Sequence, residues 1–168
     1  LLLGDGALIG KKVINDKKLK NVIFTGSLET AKIIQSNLQQ KENIPTFIAE
    51  TGGLNCMIVD TSALTEHVVK DVVNSGFDSA GQRCSACRIL CVEENIYEHT
   101  KHTLIGAMKT QKVGNPEELS TDIGPVIDTE AFDNINNHIK KFDKVFQTEI
   151  NLNQGNFIPP TLIEIEKL

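Results

Sequence analysis

The stretch from Asn21 to Val59 constrains this chain most. Asn21-Val-Ile-Phe-Thr25 is short, β-branched and aromatic, and it gives way at Gly26-Ser27 to a helical pattern over Thr30–Gln40. A second short run, Pro45–Ala49, ends in Glu50-Thr-Gly-Gly53, and Asn55–Val59 reads as a buried strand. Strands separated by a helix predict a parallel α/β unit.

The rest of the chain continues the alternation. Leu64, Val68, Val69, Val72, Val73 and Phe77 fall at helical spacing, with Thr65 and Glu66 suited to the first turn. Asp78–Cys87 is small and polar, a loop able to approach a ligand, and Arg88–Val92 resumes as a strand. Further helices are predicted over Ile96–Lys109 and Thr129–Phe142. Turns are expected at Val113-Gly-Asn-Pro116 and Ile123-Gly-Pro125, and a last strand over Thr161–Ile165.

Composition removes several classes of function. With 17 Lys plus Arg scattered along 168 residues and a net charge of -5, no basic stripe is available to neutralise phosphate backbones, so a nucleic acid is a poor partner. No apolar run approaches the roughly 20 residues of a membrane span, and no signal sequence opens the chain. A soluble, cytoplasmic protein is expected. The four cysteines, Cys56, Cys84, Cys87 and Cys91, are too sparse for a disulfide scaffold and read as reduced thiols. A first residue that is Leu, and an end without a tail or terminal helix, suggest a piece of something longer.

Chemistry concentrates in Ser79-Ala-Gly-Gln-Arg-Cys84-Ser-Ala-Cys87-Arg88. A cysteine flanked by Gly, Ser and two arginines has room for a substrate and a positive field, surroundings that make a thiol a better nucleophile. A buried structural cysteine is the plain alternative. Zinc is another, because Cys84, Cys87 and Cys91 form a C-x2-C-x3-C run with His99 and His102 farther on, although C-x-x-C alone is a weak signal. Glu50 ends an apolar strand, where a carboxylate would sit at the mouth of an open α/β sheet and could act as a general base; a solvated strand-end glutamate fits the same pattern. Gly26-Ser27, at a helix N-terminus, suits a pyrophosphate, but a strand-turn-helix with one glycine is common.

Taken together, the segments resemble the aldehyde dehydrogenase superfamily. The resemblance rests on Phe24-Thr-Gly-Ser27, Glu50-Thr-Gly-Gly53, Gly81-Gln-Arg-Cys84, Val113-Gly-Asn-Pro116, Gly124-Pro125 and Gly155-Asn-Phe-Ile-Pro-Pro-Thr161, and on the 34 positions between Glu50 and Cys84. Ile48-Ala-Glu-Thr-Gly-Gly and Phe77-Asp-Ser-Ala-Gly-Gln-Arg-Cys-Ser-Ala look like the branch that oxidises glutamate γ-semialdehyde, within it the dehydrogenase half of bifunctional proline utilisation A proteins.

The resemblance implies a thiol nucleophile at Cys84, a general base at Glu50, a substrate-carboxylate contact at Ser85, and NAD held by Gly26, Ser27, Thr51 and Gly52, with no metal. It also implies an α/β fold in which residues 1–50 finish a Rossmann-like cofactor domain and 51–168 form most of the catalytic domain. The base would then lie at the hinge, with the thiol across a cleft. The parent is expected to be a homo-oligomer acting on a small aldehyde, and the 168 residues alone to be inactive and prone to self-association. Two departures stand out: Ala31 replaces a second glycine common in the superfamily, and Cys87 is unusual beside the nucleophile, where a disulfide with Cys84 would block turnover.

Overall fold

The computed structural model describes residues 1–152 and 155–166. The fold is α/β and divides into two compact units, Leu1–Gly53 and Leu54–Leu168.

The first unit opens with helix α1 (Gly6–Asn15), which the pattern reading does not anticipate. Asp5 starts it by accepting a hydrogen bond from the Leu8 amide at 2.8 Å. Strand β1 (Asn21–Gly26), helix α2 (Leu28–Gln39) and strand β2 (Thr46–Thr51) follow. β1 and β2 pair in parallel, as the helix between them requires, in a register that sets Thr25 opposite Glu50 and Gly26 opposite Thr51. Ala31, Ile34 and Leu38 form the buried stripe of α2. Ala31 is therefore a packing residue here, 5% exposed.

The second unit repeats the device. Strand β3 (Asn55–Val59), helix α3 (Thr65–Phe77) and strand β4 (Cys87–Val92) make another parallel pair, followed by helix α4 (Glu94–Thr110). Helix α5 (Thr129–Ile139), capped by Asp128 on the Ala131 amide at 2.8 Å, ends short of the predicted Phe142. An antiparallel pair, β5 (Val145–Gln147) and β6 (Thr161–Ile163), closes the unit. β5 escapes the sequence reading because three residues give no measurable alternation.

The core of this unit is Val69, Val72 and Val73 of α3 against Leu104 and Met108 of α4. Met57 of β3, Leu90 of β4, Phe146 of β5 and Leu162 of β6 pack on it from the sheets. The buried valines and the α4 residues recur three or four positions apart, so the helical spacing read from the sequence is the spacing that packs. On the outer face Ile58 is 82% exposed.

Two outcomes follow from this packing. Met108 is wholly buried, so Met108→Ala should remove about 2–5 kcal/mol of unfolding free energy in urea denaturation. The second concerns the ion pair between Lys101 of α4 and Glu164, just past β6, at 2.8 Å. The hydrogen bond from Lys101, and next that from Tyr97, hold the Glu164 carboxyl below its ordinary value, and the bond to Glu164 holds Lys101 above its own. A depressed carboxylate stabilises the fold above its unfolded value of about 4.3 and loses that contribution as pH falls through the folded value. The raised amine contributes below about 10.4 and loses it at higher pH. Glu164→Gln should therefore lower the thermal midpoint at pH 7, with a difference from the parent chain that narrows as the pH is lowered from neutral.

Candidate active site

Cys84 lies in a tight turn between α3 and β4, and its residue is solvent-exposed, as is Ser85 beside it. The approach to this turn is strained. Ser79 and Ala80 have φ of 56° and 52°, in the left-handed region where a Cβ is disfavoured, and Gly81 follows at 67°. Only glycine fits at 81: a Cβ there would stand 2.8 Å from the Gly76 carbonyl oxygen and 2.9 Å from Arg88 Nη1. Such conformations cost on the order of 1–3 kcal/mol each and persist where the surroundings over-determine them.

The surroundings do so through side chains that bond to backbone. Asn55, at the start of β3, donates from Nδ2 to the Cys84 carbonyl at 2.7 Å and to the Ala86 carbonyl at 3.0 Å. Arg83 donates to the Asn74 carbonyl at 2.7 Å, and Arg88 donates to the Gly81 carbonyl. Gln82 donates to the Ser79 carbonyl at 3.1 Å and accepts from the Ile127 amide at 2.8 Å. That last bond ties the cysteine loop to the residues just after Gly124-Pro125, so two motifs distant in sequence share one side chain. Ser75 Oγ accepts from the Cys87 amide at 3.1 Å and fixes the entry to β4.

The arginines thus have a role beyond the charge expected of them. Their guanidinium groups are committed to backbone carbonyls, and Arg83 also lies 3.9 Å from the Asp78 carboxylate, so they serve as struts of the loop. Asn55, Ser75 and Gln82 escaped the sequence reading as loop-setting residues. The available signal was a single polar residue, Asn55, opening an otherwise apolar strand.

The remaining cysteines have separate places. Cys87 is half-buried on β4, its thiol donates to the Ile89 carbonyl at 3.4 Å, and burial pushes it above its ordinary value. Cys91 lies farther along the same strand, and its Sγ is 3.5 Å from Cys56 Sγ on β3. Among the described residues, no three His, Cys, Asp or Glu side chains gather closely enough to hold a metal ion. The C-x2-C-x3-C run is spread along a turn and an extended strand, with His99 and His102 on α4. A cavity of about 410 Å³ in this unit is lined by Ala80, Arg88, Ile135, His138 and Pro159 among others, and Cys84 is not part of its wall.

In the first unit, Gly26, Glu50 and Thr51 lie at the carboxyl end of the parallel β1–β2 pair, with Ser27 and Gly52 immediately after the strands. Glu50 is exposed and lies within β2, one residue before its end. Ser27 caps α2: its Oγ accepts from the Thr30 amide at 3.1 Å, and Glu29 sits in the first turn. Gly26 is also constrained from within its own strand, since a Cβ would stand 2.5 Å from the Phe24 ring. The carboxyl edge of parallel strands followed by a helix N-terminus is where α/β sheets take nucleotides, so these residues fit the NAD implied by the motifs.

Known proteins share this sequence and fold. The aldehyde dehydrogenase family matches residues 1–166. The bifunctional protein PutA of Salmonella typhimurium is 50% identical over 182 residues, covering 99% of this chain and 14% of its own length. A 1-pyrroline-5-carboxylate dehydrogenase of Anoxybacillus flavithermus is 33% identical, covering 95% of this chain and 32% of its own. A crystal structure of a proline utilization A variant from Bradyrhizobium japonicum superposes with a TM-score of 0.92 at 39% identity, over 98% of this chain and 17% of that one. A betaine aldehyde dehydrogenase from Staphylococcus aureus, in complex with NAD+ and with a BME-modified cysteine, superposes with a TM-score of 0.88 at 31% identity, over 96% of this chain and 34% of that one. The chain thus spans a minor part of each of these relatives, and by its match over nearly its entire length it belongs to the aldehyde dehydrogenase family.

Proposed function

We propose that this chain carries the nucleophile and the base of an NAD-dependent dehydrogenase that oxidises L-glutamate γ-semialdehyde, the open form of 1-pyrroline-5-carboxylate, to glutamate. The observation that carries the reading is an exposed thiol, Cys84, on a turn whose carbonyl is held by Asn55 and whose neighbours are strapped to α3 and β4. The substrate follows the relatives named for 1-pyrroline-5-carboxylate and for PutA. In this reading residues 1–50 finish the cofactor domain and 51–168 belong to the catalytic domain.

Each residue then has a task. Cys84 Sγ attacks the aldehyde carbon and forms a thiohemiacetal. Gly26, Ser27, Thr51 and Gly52 would hold NAD, which would supply the hydride acceptor, and loss of hydride and of the hydroxyl proton would leave Cys84 as a thioester. Glu50 takes a proton from water, and the hydroxide so formed attacks the thioester carbon. The carbon–sulfur bond breaks, the carboxylate product leaves and Cys84 is restored. Ser85, exposed beside the nucleophile, donates to the carboxylate that the substrate already carries. A fixed turn matters for all of this, because a misplacement of about 1 Å can cost on the order of 10²-fold in rate.

At neutral pH, iodoacetamide followed by peptide mapping should label Cys84 at least several-fold faster than Cys56, Cys87 or Cys91; uniform labelling would overturn the assignment. In the protein that contains this segment, NADH formation from glutamate γ-semialdehyde should fall by on the order of 10⁴ or more in Cys84→Ser. Glu50→Gln should lose on the order of 10²–10⁴ in steady-state turnover while keeping a first burst of NADH. A Glu50→Gln variant with normal turnover would remove the base from the mechanism. A higher kcat/KM for betaine aldehyde than for the semialdehyde would remove the substrate.

A further inference from the structure

The reading of Cys84 leaves three cysteines without a task, and two of them lie in contact. In the parallel pairing of β3 and β4, Cys56 stands opposite Ile89 and Ile58 opposite Cys91. Alternation along each strand then puts Cys56, Ile58, Ile89 and Cys91 on one face of the pair. Met57 and Leu90 point the other way, into the core of α3 and α4. The two sulfurs therefore share the outer face, where Ile58 is 82% exposed, and they are 3.5 Å apart. Cys56 is exposed and Cys91 half-buried, so small reagents can reach the pair.

We propose that Cys56 and Cys91 form a redox pair that a peroxide, acting as a two-electron oxidant, closes into a disulfide across β3 and β4. A disulfide has its sulfurs about 2.05 Å apart, so closure from contact distance needs a side-chain movement of about 1.5 Å. By the strand register the two cysteines stand diagonally, two residues out of step, so closure also draws the strands together locally. The hydrogen bond to Cys91, then burial, raises the Cys56 thiol above its ordinary value.

Cys91 gives up its thiol proton and attacks one peroxide oxygen, the O–O bond breaks, and the departing hydroxide takes up that proton as water, which leaves Cys91 as a sulfenic acid. Cys56 sulfur then attacks the sulfenic sulfur. The S–S bond forms, the S–O bond breaks, and the Cys56 proton departs with the hydroxyl as a second water. The two thiols together give up two electrons and the peroxide takes them. Cys87, whose thiol is turned to the Ile89 carbonyl, and Cys84, in its turn before β4, stay outside the pair.

The test uses the Cys84→Ser chain, so that oxidation of the nucleophile does not enter the count. One equivalent of hydrogen peroxide, followed by alkylation and peptide mapping without reduction, should lower the free thiols from three to one and yield a linked Cys56–Cys91 peptide. Dithiothreitol should restore all three. The loss should vanish when Cys91→Ser is added and persist when Cys87→Ser is added. A link through Cys87, a link between two chains, or no loss would overturn the proposal. The unaltered chain offers a check that does not depend on variants folding. Phenylarsine oxide, which bridges paired thiols, should protect Cys56 and Cys91 from alkylation and leave Cys84 and Cys87 open. Protection of any other pair would overturn the proposal as well.

Discussion

The parallel pairing of β3 with β4 is the constraint on which the second unit rests. A parallel pair cannot be closed by a tight turn, so the chain must leave β3, cross as α3 and return. The crossing lays Val69, Val72 and Val73 on the sheet, and α4 seals them with Leu104 and Met108. The return into β4 has to be made in the nine residues between Phe77 and Cys87, and Cys84 is carried on that return. Its position is set by how the strand is re-entered.

Re-entry is achieved with strain. Three successive residues take left-handed φ, two of them with side chains, and the cost is offset by side chains that reach backbone carbonyls from several directions. Two cationic residues serve this purpose, where the sequence alone presented them as a field for the thiol. Cationic side chains can thus fix the geometry of a turn while keeping their charge. For the nucleophile proposed at Cys84, whose rate would depend on its approach to a carbonyl carbon, a fixed turn would itself be a catalytic resource.

The first unit applies the same architecture to a different end. The carboxyl ends of β1 and β2 bring Gly26, Glu50 and Thr51 to one edge, although these residues lie about 25 positions apart in sequence. Ser27 begins the helix that follows β1 and is used by that helix as a cap. Gly26 closes β1 with the Phe24 ring beside it. A glycine that reads as a nucleotide motif also leaves room for a ring of its own strand.

Much of this was legible from residues alone. Strand runs rich in Val and Ile, and helices with apolar residues three and four apart, gave β1 to β4 and α2 to α5, because those patterns are the packing surfaces themselves. Helix α1 was missed, since its start depends on a single Asp5 cap and it has no buried residue to mark it. Strand β5 was missed because so short a strand is formed by its partner. By itself the sequence determined the α/β alternation, the family and the cysteine and glutamate that stand out chemically, since these are properties of residue type and order. Only the tertiary structure decided that Arg83 and Arg88 are struts, that Asn55 holds the Cys84 turn, and that Cys56 meets Cys91. Those facts depend on strand register and on which backbone groups lack partners, and neither is fixed until distant segments have packed.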